Sequence, residues 1–478
     1  MKKKSVNSNY IFNLVYQILI VFVPFIVTPY ISRILEADGI GQYSYAQSYV
    51  SYFVLLSGVG TLIYGQREIS RHRDDTQFCA QLFWEIFLLR VIGVTTSYIL
   101  YFIIILPNAT NRLVYILAAL EILAVVFDIS WYFQGFEDFS KITLCNGFSK
   151  IVSVFAIFIF VKSKNDLPIY ILLYCGSIIL GNISMWFWAF PYITKNRLNK
   201  IHIFSHLKLS VMLFIPQVAL QIYTVLDKTM IGLITKSDYQ NGYYEQAMKT
   251  SKITLAVVTA LGSVMAPRIT NLFYKNKKKS IELMLGKSFN IMWALSLPIA
   301  VGLFVVADRF VPIYYGIGYG DVIPLLKILC FLVPIIGASN IIGMQYLIPV
   351  GKEKYYTISL FSGAIINFTL NSILIYSLQA KGATIASVLA ELCITIIQMF
   401  LVRRDLPLKK YFSQLYRYLF NSIIMGIIIY ILGLRLDDSL FALLLMIFCG
   451  IFIYLMLLVI ERDHLLSKNG RRFEDVDE

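Results

Sequence analysis

Apolar positions along this chain come in long runs, each near or above the roughly 20 residues that carry a helix across a bilayer. They do not alternate with polar residues at every second position, as the strands of a membrane barrel would. Hydropathy places fourteen runs at 10–33, 40–65, 78–105, 113–133, 142–161, 168–192, 209–234, 242–267, 285–308, 322–349, 356–378, 382–402, 416–434 and 440–460. The pattern predicts an all-α polytopic membrane protein. The opening stretch MKKKSVNSNYIFNLVYQILIVFVPFIV has the basic start of a signal peptide, yet it lacks a small-residue cleavage site and precedes many further spans, so it reads as the first transmembrane helix.

Within these runs the polar residues fall at helical spacing and form stripes. Gln217, Gln221, Thr224 and Lys228 share one face of span 7, and Glu245, Lys249, Lys252, Thr259 and Ser263 share one face of span 8. Further stripes are Asn146, Lys150 and Ser153 in span 5, Glu121 and Asp128 in span 4, and Thr384, Ser387, Glu391, Thr395 and Gln398 in span 12. Arg90 sits in mid-span 3, where Glu85, about 140° around the helix, is an awkward partner. Asp227 and Lys228 are adjacent and point about 100° apart, so they do not cancel each other. Lys228 and Lys249 both lie about 10 Å from the same membrane face, which places Asp227 to reach a cation on span 8.

Each basic residue at mid-helix costs about 2.5 to 3.5 kcal/mol on insertion scales, so these cations should face water or one another. One reading is interhelical ion pairs and snorkelling side chains, with Lys327, just past its helix start, among them. The sharper one is a cationic, water-filled cavity lined by Arg90, Lys228, Lys249, Lys252 and Lys150, suited to a phosphate-bearing substrate. Asp227, Glu245, Asp128 and Glu391 would then pair those cations or titrate as coupling-ion sites.

Shifting the chain by 201 positions lays GQYSYAQS on GYYEQAMK, matching Gly41 to Gly242, Tyr43 to Tyr244 and Ala46 to Ala247, and puts Arg67 on Arg268. Spans 1 and 2 map onto 7 and 8 without a gap. Ser44, Ser48 and Ser51 stand where the second copy has Glu245, Lys249 and Lys252. Six helices separate the copies, so both insert in the same direction. The expected architecture is two six-helix lobes, 1–200 and 201–404, related by an axis along the membrane normal, with two C-terminal helices and a tail at 405–478. That is a design of alternating-access transporters with the substrate site between lobes.

Composition agrees: of 478 residues, 58% are hydrophobic and 15% charged, whereas a soluble chain carries about 25% charge. The excess of 42 basic over 28 acidic residues is mostly topology. Lys2–Lys4, Arg67–Arg73, Lys195–Lys208, Arg268–Lys287, Arg403–Arg417 and Arg462–Arg472 collect on one side, and by the positive-inside rule both termini are cytoplasmic. The basic balance suits anionic membrane lipids and, with no stacking platform beside a basic groove, is no sign of nucleic acid. All six cysteines lie in apolar segments without a CxxC pair. His202 and His206 have the spacing of a helical metal pair but lack a third ligand. GIGYG at 316–320 reads as an outer turn, RHRDD at 71–75 as a solvated loop, and no Walker motif is present.

Two blocks, TPYISRILEADGIGQYSYAQSYVSYFVLLSGVGTLIYGQREISRHRDD (28–75) and YTVLDKTMIGLITKSDYQNGYYEQAMKTSKI (223–253), resemble the Wzx-type flippases. These are the polysaccharide-repeat-unit branch of the multidrug/oligosaccharidyl-lipid/polysaccharide exporter superfamily. Arg33, Gly39 and Gly41, the GQRE stretch, and Leu-Asp-Lys followed by Gly-Tyr-Tyr carry the likeness. The resemblance implies fourteen helices and a non-enzymatic transporter in the bacterial plasma membrane. Its cargo would be an undecaprenyl-pyrophosphate-linked oligosaccharide, moved from inner to outer leaflet for O-antigen, capsule or exopolysaccharide synthesis. The resemblance further implies no cofactor, coupling to H+ or Na+, and a polysaccharide polymerase and chain-length regulator as partners. The alternatives are a multidrug or cation antiporter of the same fold, whose cationic substrates a lysine-rich cavity disfavours, and a flippase for the peptidoglycan precursor. A polymerase, an enzyme, would be expected to carry a sizeable outer loop, and the outer connectors here are short.

Overall fold

The computed structural model describes residues 6–194 and 202–461. The lysines at the N-terminus, the connector with Lys195, Arg197 and Lys200, and the basic tail from Arg462 lie outside the described residues, as do the side chains of Gln217 and Ser263. The described residues form helices α1 (Val6–Gly58), α2 (Thr61–Arg71), α3 (Thr76–Ile104), α4 (Arg112–Ala118), α5 (Leu120–Phe127), α6 (Ser130–Gly135), α7 (Phe139–Phe160), α8 (Leu167–Ile193) and α9 (Leu207–Thr235). There follow α10 (Asp238–Tyr274), α11 (Lys278–Tyr315), α12 (Val322–Leu329), α13 (Leu332–Asn340), α14 (Glu353–Val402), α15 (Leu408–Phe412), α16 (Leu415–Gly433) and α17 (Leu440–Ile460). Among the described residues there is no strand, and 11 helical stretches are long and apolar enough to cross a membrane.

The chain divides into two compact units, 1–242 and 243–478. In the first, α1 packs on α3, α7 and α9, α2 on α6, and α8 on α4, α5 and α7. An aromatic cluster of Phe83, Trp131, Tyr132 and Trp186 fills the space between α3, α6 and α8, with Phe83 and Trp131 stacked at 5.7 Å. In the second, α11 packs on α13, α16 and α17, and α14 on α12 and α13. Lipid is as apolar as these side chains, so close packing of small residues and internal hydrogen bonds hold the helices together more than burial does. Gly426 faces Val301, Gly433 faces Met446 and Gly450 faces Ile429, which brings α16 and α17 close to their neighbours.

The structure departs from the hydropathy boundaries where the backbone bends. Spans 1 and 2 join in α1 with no loop, through Glu36 alone at φ 55 and ψ 177, and spans 11 and 12 join in α14 through Gln379 at φ 52. Positive φ costs a non-glycine residue about 1–2 kcal/mol. At Glu36 the side chain is engaged from outside, its carboxylate 2.9 Å from Lys164 Nζ, with Asp38 3.5 Å from the same amine. Across Gln379 the chain folds back so tightly that Gly382 abuts the Leu374 carbonyl. Spans 4 and 10 are each broken, at Asp128–Ile129 and by a π-helical turn over Ile341–Leu347. Hydropathy sums composition over a window and does not register such bends.

Positions matched by the 201-residue repeat behave alike. Tyr43 and Tyr244 are buried, and Ala46 and Ala247 are fully so. Within the first unit Gly41 lies against the Asp238 carbonyl and Gly242 against that of Ala37. Since 238 is 37 shifted by 201, the contact is reciprocal. No side chain fits at either glycine. Gly242→Val should therefore overpack this crossing by about 1–3 kcal/mol and lower the melting temperature of purified protein in detergent; an unaltered melt would contradict the close approach.

Candidate functional site

A helix broken inside hydrocarbon exposes the carbonyls of its last turn, and lipid offers them no donor. α5 ends at such a break, and three side chains answer it. Asn182 donates to the Ala124 carbonyl at 3.0 Å, Trp186 to Phe127 at 3.0 Å, and the Arg90 guanidinium to Val125 at 3.3 Å and to Asp128. Arg90 Nε also donates to Thr61 Oγ1 at 2.8 Å, at the start of α2 beyond the Val59–Gly60 bend. The Asp128 carboxylate accepts from Ser130 N at 2.9 Å, which caps α6, and stands 3.7 Å from Arg90. Arg90 is only 2% exposed. The expected cavity-lining role for Arg90 thus meets a residue spent on backbone carbonyls, and Asp128 is its ion-pair partner.

Arg309 does the same at the end of α16, donating to Gly433, Leu436 and Asp437 carbonyls at 2.6–2.9 Å. Lys327 pairs with Asp308 at 2.7 Å. Several polar stripes also serve contacts between helices. Ser153 donates to the Leu173 carbonyl at 3.1 Å, Thr395 to Ile335 at 3.3 Å, and Gln398 bridges Ser339 and Ser359 at 3.1 Å each. Ser387 meets Tyr244 at 3.2 Å, and Ser48 accepts from Thr229 at 3.0 Å.

The other expected site residues lie on α10, α14, α9 and α7. In the second unit Lys249 is a third exposed and stands 3.4 Å from Glu245, one turn back on α10, while Lys252 is exposed. The four-residue spacing of Glu245 and Lys249 signalled this pair in the sequence. Glu391 is partly exposed on α14. In the first unit Asp227 is buried, Lys228 is partly exposed, and Lys150 lies with its amine 5.5 Å from the centre of the Tyr16 ring.

Two clusters were not assembled from the sequence. The Glu121 carboxylate accepts from Tyr43 Oη at 2.6 Å and Gln47 Nε2 at 3.1 Å, within electrostatic reach of Lys228. Tyr43 and Gln47 are four residues apart, so their shared face was legible, but its partner 74 residues away was not. At the other cluster Glu85 is almost fully buried. One of its oxygens lies 2.6 Å from His206 Nε2, and the other accepts from His202 N at 2.9 Å and Gln81 Nε2 at 3.0 Å. His206 Nδ1 is 2.7 Å from Tyr64 Oη. Among the described residues no three His, Cys, Asp or Glu side chains converge as a metal-holding group.

The model of a family described as "Polysaccharide biosynthesis protein" matches residues 6–273. A protein of Escherichia coli K12 named "Putative O-antigen transporter" is 22% identical over 409 residues, covering 84% of this chain and 98% of that protein. A Haloferax volcanii protein named as a low-salt glycan biosynthesis flippase is 25% identical over 58% of this chain and 59% of its own length. Among solved structures, the lipid II flippase MurJ in an inward closed conformation superposes with a TM-score of 0.72 at 17% identity, covering 94% of this chain and 99% of that one. An inward-facing multidrug transporter of the MATE family gives 0.62 at 12% identity over 82% and 99%. These likenesses establish the fold.

If Arg90 braces the break in span 4, Arg90→Gln should destabilise the purified protein without any substrate, by about 3–5 kcal/mol on the scale for breaking a buried ion pair. A thermal melt equal to that of the parent chain would instead leave Arg90 free for a binding role.

Proposed function

The chain belongs to the polysaccharide biosynthesis protein family, a membrane transporter and not an enzyme, and from that premise we propose that it flips a lipid-linked oligosaccharide by alternating access. The cargo we propose is an undecaprenyl-pyrophosphate-linked repeat unit, carried from the inner to the outer leaflet of a bacterial plasma membrane for surface polysaccharide synthesis. Its relatives named for O-antigen transport and for a glycan flippase support that class of substrate.

The observation that carries the reading is on α10, where Lys249, a third exposed, stands 3.4 Å from Glu245 and Lys252 is exposed one turn on. A diphosphate is held by charge-assisted contacts, and an exchange of Glu245 for phosphate oxygens at Lys249 replaces one such contact with another. Lys228 and Lys150 are the proposed contributions from α9 and α7. Asp227, Glu245 and Glu391 are the acids we assign to ion pairing or to H+ or Na+ coupling; Asp128 is committed to Arg90 and to the α6 cap.

Fourteen crossings are the proposed count. Support comes from the 11 apolar stretches, a second crossing from each of α1 and α14 at their bends, and α9. The proposed lobes are 1–200 and 201–404, with 405–478 as appendage and both termini cytoplasmic.

Lys249→Gln with Lys252→Gln should abolish surface polysaccharide in cells depending on this chain, with its membrane level unchanged, as read on a polysaccharide gel beside an immunoblot. Normal export from the double variant would remove the site assignment. Drug resistance conferred by the parent chain, with no effect on polysaccharide, would favour a multidrug antiporter.

A further inference from the structure

We propose that Tyr45, Tyr49 and Tyr52 of α1 form a sugar-stacking subsite, on which pyranose rings of the cargo's glycan lie during transport. This deepens the lipid-linked oligosaccharide reading and rests on it. The three residues are spaced four and three apart beyond the bend at Glu36, so they share one helix face. Tyr45 and Tyr49 have ring centres 5.2 Å apart and hydroxyls 2.9 Å apart, and Tyr52 Oη lies 3.2 Å from Thr229 Oγ1 of α9. Tyr115 of α4 is buried behind the pair, its ring 6.5 Å from Tyr45 and 6.3 Å from Tyr49, and Gly232 of α9 lies against the Tyr45 ring. All of these groups belong to the first unit.

Exposure along α1 decides what this face meets. From 37 to 52 no residue is exposed, and every partly exposed one carries a polar atom, the three tyrosines among them. Surfaces that face lipid look different: Phe148 and Phe155 of α7 and Phe187 of α8 are exposed and wholly apolar. The space beside the tyrosines therefore suits water and polar cargo. A diphosphate finds no partner there. The one charged residue from 37 to 55 is Asp38, where the second copy of the repeat has Lys249 and Lys252, and the face of an aromatic ring is its negative side. A pyranose fits on both counts. Its C–H bonds, positive at hydrogen, lie on the ring face, and its hydroxyls exchange with tyrosine hydroxyls that both donate and accept. The hydroxyls of Tyr45 and Tyr49 satisfy each other until a sugar arrives. That exchange trades one neutral hydrogen bond for another, so the net gain comes from stacking.

The subsite is tested by titrating the purified chain in detergent with two lipids, read by native mass spectrometry. One is bare undecaprenyl pyrophosphate, and the other is the glycan-bearing lipid that accumulates in cells lacking this chain. The parent chain should hold the glycan-bearing lipid more tightly. Tyr49→Leu and Tyr52→Leu, which stay apolar but lose the ring face, should each weaken that lipid about three- to tenfold and leave the bare lipid unchanged, as the loss of one aromatic contact predicts. Tyr49→Phe keeps the ring and should lose less. A thermal melt checks that each variant is folded, and where Tyr49→Leu is not, Tyr52→Leu carries the test. Unchanged affinity in the folded Leu variants, or an equal loss for both lipids, would overturn the subsite. A parent chain that binds both lipids alike would also overturn it while leaving the diphosphate assignment standing, whereas a parent chain that binds neither would overturn the cargo reading itself.

Discussion

In hydrocarbon every backbone N–H and C=O must find its partner inside the protein, and much else in this chain follows from that requirement. Unbroken helices meet it by themselves, which is why the chain is built of them. At the ends of three helices a side chain from another helix supplies a donor. Arg90, Asn182 and Trp186 converge on the end of α5 for this reason, Arg309 closes the end of α16, and Tyr30 donates to the last-turn carbonyls of α7 at Val161 and Phe158.

This sorts the charges of the membrane interior by what they leave unused. An arginine can serve two or three carbonyls at once because its five N–H groups form a rigid fork. Arg90 is accordingly buried and committed to carbonyls, and Arg309, partly exposed, serves three of them. Lysines carry a single ammonium head on a flexible stem, and Lys249 and Lys252 hold theirs toward solvent on α10.

Close approach at Gly41 and Gly242 depends on the absence of side chains, and its reciprocity is the physical trace of the repeat. Beside the cluster at Glu85, Gly60 likewise lies against the Ser210 and Phe214 backbone. α9 packs in the first unit, against α1 and α2.

Local composition was enough to determine that the chain is helical and that it spans a membrane repeatedly, because hydropathy and helical periodicity are properties of short windows. The close pairing of Glu245 with Lys249 was legible for the same reason. Partner choice was not. Arg90 reaches carbonyls 35 and 38 residues away, and Glu85 meets His206 at a separation of 121. Nor did any window show that one residue, Glu36 or Gln379, would turn the chain. Those outcomes depend on which distant groups the packed helices bring to each unsatisfied carbonyl or carboxylate, and only the tertiary structure decides that.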